Sequence, residues 1–230
     1  MSELSLASFS FEDVPTEAVE AAEALYGGLA GDVRRLVDLT IRSRVDADRV
    51  ERARALVREA ADLLAEDAED GPAGVHYNAQ GRSWNWGNTV IGVRNAFAPP
   101  VRLVWGDDDV VRSAVTLGAA YEGPPGSVHG GVSALLLDHL MGETASARHT
   151  RLTVTGTLTL RYEQPIPLGP VRMEARVARE EGRKVTVEAW IGPDAEDAGP
   201  SVRATGLFIV PRWAADSDPT DPTRPVGSLD

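Results

Sequence analysis

Two clusters in this chain combine residue types that acyl-transfer chemistry needs. The first is Ser127-Val128-His129-Gly130-Gly131. Two glycines at the start of an apolar run leave backbone N–H groups uncovered at the positive end of a helix dipole, where an oxyanion or a polarised carbonyl can be held. The second is Asp138, which directly follows Leu135-Leu136-Leu137 in the middle of the same run. A carboxylate there is expected to lose hydration, which raises its pKa towards the range of a general base. Electrophile activator and base or nucleophile on one helix make a plausible pair. Each also has a plainer reading: glycine often starts helices, and Asp138 could lie on a narrow polar stripe with His139 and Glu143.

The elements that must position these residues follow from hydrophobic period. HGGVSALLLDHLMGETASA is apolar at helical density for about five turns. It is apolar on most sides, so a sheet on one side and a partner on the other are expected to surround it. A strand within VVRSAVTLGAAYEG precedes it and ends before a Gly-Pro-Pro-Gly corner. Residues 154–162 alternate, with Val154, Gly156, Leu158, Leu160 and Tyr162 on one face and Thr155, Thr157, Thr159 and Arg161 on the other. Val171 to Val177 and Val185 to Ile191 alternate around a hairpin turn at Glu181-Gly182, and a last strand spans roughly 201–210 before Pro211. Strand, helix and four further strands describe an α+β architecture in which an antiparallel sheet wraps one long helix.

Residues 1–70 read as a helical extension. Helix begins near Thr16, breaks around Gly27, Gly28 and Gly31, and resumes as an amphipathic helix with Val50, Ala53, Ala55, Leu56, Ala60, Leu63 and Leu64 on its apolar side. Residues 71–100 form a connector rich in Gly, Asn, Trp and Pro, residues 101–212 the main domain, and residues 213–230 a tail expected to be disordered. Trp84 and Trp86 could roof an acyl pocket, though packing anchors are the commoner use of such residues. His76 reads as a surface or satisfied histidine, and His139 and His149 as structural or solvent-facing.

Bulk composition narrows the function classes. No cysteine occurs among 230 residues, which excludes thiolate nucleophiles and disulfides and suits a cytoplasmic setting. Net charge is -12, concentrated in residues 1–70, where 8 Arg face 17 Asp and Glu. Nucleic acid is therefore an unsuitable partner. No run of about 18 apolar residues offers a membrane span, and no His/Asp/Glu cluster offers a metal site.

The string EGPPGSVHGGVSALLLD, with a Thr-bearing strand running into RYEQPIPLG, resembles the hotdog-fold thioesterases of the phenylacetate-pathway (PaaI-like) and thioesterase-superfamily-member type. The resemblance covers about residues 110–211. It implies a homodimer, with dimers that could pair, acting on acyl-CoA, and no cofactor beyond the coenzyme A of the substrate. It implies that the Gly130 N–H polarises the thioester carbonyl while His129 shapes that site, with Gly131 beside the substrate. Asp138 would be nucleophile or general base, and Thr155 would hold the water or the carboxylate. By alternation Thr153 and Thr157 share the face of Thr155, so family register alone selects Thr155. Some relatives carry an Asn six residues before the His; here that position is Gly123, which leaves one polarising contact unassigned. Arg172, Arg176, Arg179 and Arg183 are candidates for the phosphates of CoA. A hotdog hydratase or dehydratase, and a non-catalytic acyl-CoA sensor, are the competing functions.

Overall fold

The computed structural model describes residues 9–212. The expected tail at 213–230 lies outside them. The main sheet has six strands: β4 (Val104–Trp105), β5 (Val111–Leu117), β6 (Val154–Tyr162), β7 (Gly169–Glu181), β8 (Lys184–Pro193) and β9 (Val202–Ile209). They run in the spatial order β4-β5-β7-β8-β9-β6, with every neighbouring pair antiparallel. Helix α3 (Gly130–Ser146) lies on one face of this sheet. This is the α+β hotdog arrangement, and β6, the first strand after the helix, lies at one edge.

The sequence of α3 explains its seat. Ser133, Leu136, Leu137, Leu140, Met141, Thr144 and Ala145 recur three and four apart and are buried. Leu136, Leu137, Leu140 and Met141 are fully enclosed, against Val111, Val171, Met173, Val187, Ile191 and Phe208. At about 1.5–3 kcal/mol for each such side chain, this interface dominates the core. The rest of α3, including Ala134, Leu135, Asp138 and Gly142, is only partly covered. The single chain thus supplies the sheet half of the expected enclosure.

The N-terminal part differs from expectation in one respect. Helix α1 (Thr16–Arg42) runs unbroken through Gly27, Gly28 and Gly31. No atom lies within 4 Å of the Cβ position of any of the three, so no packing constraint acts there. Three glycines cost about 1 kcal/mol each in a helix, too little to break 27 residues of otherwise good formers. The break falls instead at Ser43–Asp46, where the Asp46 carboxylate accepts from the Arg49 N–H and starts α2 (Ala47–Ala65). The connector is irregular as its composition implies, apart from β2 (Val75–Tyr77) and β3 (Ser83–Trp84), which join β1 (Phe9–Phe11) in a small second sheet. It holds α1: Gln80 caps the Thr16 N–H at 2.6 Å, and Arg34 donates to the carbonyls of Ala98 and Asn95 at 2.8 and 3.1 Å. Trp84 is a buried anchor stacked on His76, which pairs with Glu12.

Candidate active site

The start of α3 is stapled before the helix begins. Past the 3₁₀ turn at Ala119–Tyr121, the His129 N–H donates to Tyr121 O at 2.9 Å and the Val128 N–H to Ile166 O at 2.8 Å. His129 is the N-cap residue, with extended backbone, and its imidazole Nδ1 accepts the Gly131 N–H at 2.9 Å. Histidine is an unusual cap, and its choice has a consequence. Two open amides are expected from the Gly-Gly pair, but the ring occupies that of Gly131. The Gly130 N–H has no acceptor among the described residues and is the one amide left to polarise a ligand.

Gly123 is explained by the same imidazole. A Cβ at Gly123 would lie 2.7 Å from His129 Cα and 3.0 Å from its Cβ and Cδ2. The histidine packs over a position that tolerates no side chain, so an Asn there would displace the cap. Tyr162, which spacing did not single out, completes the helix start. Its hydroxyl donates to Gly130 O at 2.9 Å, and its ring lies 3.2 Å from where a Gly130 Cβ would stand. The only signal for it was its place in the Tyr-x-x-Pro string at the end of β6.

Farther along α3, the Thr155 hydroxyl donates to Asp138 Oδ1 at 3.0 Å. The structure therefore brings Thr155 to Asp138. It does so by a device that strict alternation misses. Thr155 stands opposite Phe208 and Thr157 opposite Leu207, so Gly156 is an extra residue bulged out of the ladder. Residues directly opposite share a face, and Phe208 points into the core. The bulge puts Thr155 on the helix side together with Leu158, Leu160 and Tyr162. Thr157 lies on the outer face, so the expectation that it shares a face with Thr155 is corrected. Thr153 precedes the strand, and no hydrogen bond links it to Asp138 among the described residues.

Asp138 itself is only half-buried, because it stands on the uncovered side of α3. The desolvation expected of it is not provided by this chain's own atoms. Its neighbour His139 points about 100° away around the helix. Burial holds the His139 pKa below its ordinary value, while Glu143 and Asp138 pull upward and His149 adds to the lowering. Its Nε2 is buried and has no hydrogen-bond partner among the described residues. His149 Nε2 lies 2.9 Å from Glu143 Oε1, so the polar stripe of α3 continues into a structural polar contact.

A cavity of about 690 Å³ lies between α1, the connector and α3, lined by Trp84, Trp86, Ile91, Leu103 and Glu143 among others. Glu143 is about 140° around α3 from Asp138, so this space opens on a different flank of the helix from Thr155. The four arginines near the β7–β8 hairpin are engaged within the chain. Arg172 donates to Ala198 O and Arg183 to Val210 O, while Arg176 pairs with Glu188 and Arg179 with Glu181. Among the described residues no group of three or more His, Asp or Glu could hold a metal, and no helix is long and apolar enough to cross a membrane.

Comparison with known proteins adds to this geometry. The sequence profile of the Thioesterase superfamily matches residues 125–192, which contain His129, Gly130, Asp138 and Thr155. Over 93 residues the chain is 39% identical to acyl-coenzyme A thioesterase THEM4 of Xenopus laevis and 33% identical to that of Rattus norvegicus. Those alignments cover 40% of this chain and span only 41% and 39% of the relatives' own length. A crystal structure of a thioesterase superfamily protein superposes with a TM-score of 0.70 at 34% identity, over 80% of this chain and 94% of that one. A likeness of that extent, at that identity, shows that the chain belongs to the thioesterase superfamily.

Proposed function

We propose that the protein hydrolyses an acyl-CoA, or a related acyl thioester, to the free acid and thiol, as a homodimer whose sites are shared between subunits. The observation that carries this reading is the 3.0 Å hydrogen bond from Thr155 to Asp138 on the helix whose first amide, that of Gly130, is open. Asp138 acts on the carbonyl carbon in one of two ways. It takes a proton from water as the water oxygen attacks, or it attacks directly to form an anhydride that water then opens. In either route the C–S bond breaks and the departing sulfur takes up a proton. The Gly130 N–H stabilises the carbonyl oxygen as it gains charge, and Thr155 fixes the carboxylate. Coenzyme A enters only as part of the substrate. A chain without cysteine suits a cytoplasmic setting.

Sharing follows from helix length. Gly130 and Asp138 are eight residues apart, roughly 12 Å along α3, while reacting atoms must approach to about 3–3.5 Å. One subunit cannot bring both to the same carbonyl. Strand β6 offers the remedy: it is nine residues long, pairs among the described residues with β9 on one side only, and carries Thr155. An unpaired edge of that length is a template for a second copy. Pairing two β6 strands about a twofold axis sets two α3 helices antiparallel, with the start of each beside the middle of the other.

The test is release of thiol from a panel of acyl-CoA substrates. Turnover of at least one is expected, with Asp138→Asn or Asp138→Ala slower by about a hundredfold or more, the scale of a lost base or nucleophile. Thr155→Ala should fall about tenfold, since it positions the carboxylate and does not react. Hydration of an enoyl-CoA in its place would mark a hydratase, and tight acyl-CoA binding without turnover a sensor.

A further inference from the structure

Helix α2 buries none of its residues against the rest of the described chain. Every residue from Ser43 to Asp70 is solvent-exposed. Yet α2 carries a continuous apolar stripe, with Val50, Leu56, Val57, Leu63 and Leu64 each 43–63% exposed. Val50, Ala53, Val57, Ala60 and Leu64 recur alternately three and four apart, the period of a helix that seats against another helix. Contiguous apolar surface of this kind marks an interaction site.

The charge pattern says what covers it. Residues 44–58 carry five Arg against three acids, whereas residues 59–70 carry six acids and no basic residue. Two copies of α2 laid parallel would set acidic half against acidic half. Laid antiparallel, each acidic half meets the basic half of its partner, and both apolar stripes are covered about a twofold axis near Val57. A negatively charged lipid surface suits the arm poorly, since residues 44–70 as a whole have nine acids to five Arg. We infer that α2 is a self-association arm, which pairs antiparallel with α2 of a second copy of this chain. This contact is separate from the β6 edge and does not depend on the chemistry of the Asp138 site.

Because the chain has no cysteine, single thiols report the pairing directly. Val50→Cys and Leu64→Cys are made separately, mixed under conditions of subunit exchange, and oxidised. An antiparallel arm pair centred near Val57 brings Val50 next to Leu64 of the partner subunit, within disulfide reach. The expected result is a cross-linked species in the mixture and none from either variant alone. Cross-linking of Val50→Cys with itself would show parallel arms and overturn the inference. So would a link to Val37→Cys, which would seat α2 on α1 of the partner. A second reading comes from amide exchange of the wild-type oligomer, where α2 should be protected and Val57→Glu should lose that protection at least tenfold. Fast exchange in both proteins would equally overturn it, and since Val57 is exposed the substitution does not threaten the fold of the chain.

Discussion

Asp138 and His139 are adjacent in sequence but meet different surroundings, and the difference is a matter of helix angle. Asp138 faces the partly covered side of α3 and receives a hydroxyl from Thr155; His139 turns about 100° away, and its buried Nε2 has no partner among the described residues. The His139 pKa is held below its ordinary 6.5 by burial, so the folded chain resists protonation more than the unfolded chain. Above about pH 6.5 the ring is neutral in both states and costs nothing. As pH falls from there towards the lowered folded value, the unfolded state takes up the proton first, and stability declines. Thermal melting at pH 7.5 and 5.5 checks this: the melting temperature should drop at the lower pH, and His139→Gln should remove part of the drop. At this scale the sequence showed Asp138 and Gly130 clearly, because a charge among leucines and a Gly-Gly pair are exceptions to their context. It could not show that the His129 ring takes the Gly131 amide, nor that the same ring requires Gly123. Both are contacts between side chain and backbone that leave no period in the sequence.

The decisive element is β6, and its bulge at Gly156 is what spacing hid. Alternation puts Thr155 and Thr157 on one face, whereas the extra residue turns Thr155 inward and leaves Thr157 outside. Deleting Gly156 would leave Thr155 opposite Phe208 and Thr157 opposite Leu207 as adjacent residues of a regular ladder, so Thr155 stays on the helix side and the rate should stay above that of Thr155→Ala. Thr157→Ala should keep the rate within about twofold. Steady-state hydrolysis by the three variants decides it, and a loss in Thr157→Ala matching Thr155→Ala would contradict the assignment. The link from α3 to β6 is strained as well. Ala147, Arg148 and His149 follow one another with φ of 51°, 58° and 60°. This left-handed turn is held by Arg151, which donates to Ala145 O at 2.7 Å, and by the His149–Glu143 pair. Each non-glycine residue there costs about 1–2 kcal/mol. Ala147→Gly should therefore raise stability by about 1 kcal/mol in urea unfolding. The elements themselves were legible, since α3 and β7 to β9 carry clean periods. The continuity of α1 was not, because three glycines signal a break that their summed cost does not enforce.

For the whole molecule, the sheet covers one side of α3, while among the described residues the rest of the helix is only partly covered and the β6 edge is unpaired. The sequence expressed this as an apolar helix needing two covers, and the chain provides only one. The shared site is tested most directly by complementation. Asp138→Ala removes the carboxylate, and Gly130→Pro removes the open N–H at a helix position where proline is tolerated. Gly130→Ala, which keeps the N–H, controls for crowding against Tyr162. Each of the first two variants should be inactive alone against an acyl-CoA that the wild type hydrolyses. After subunit exchange, each heterodimer contains one site with an intact Gly130 from one chain and an intact Asp138 from the other. Activity per heterodimer should return to about half that of the wild type, which has two such sites. Demonstrated heterodimers that remain as inactive as their parents would contradict the shared site.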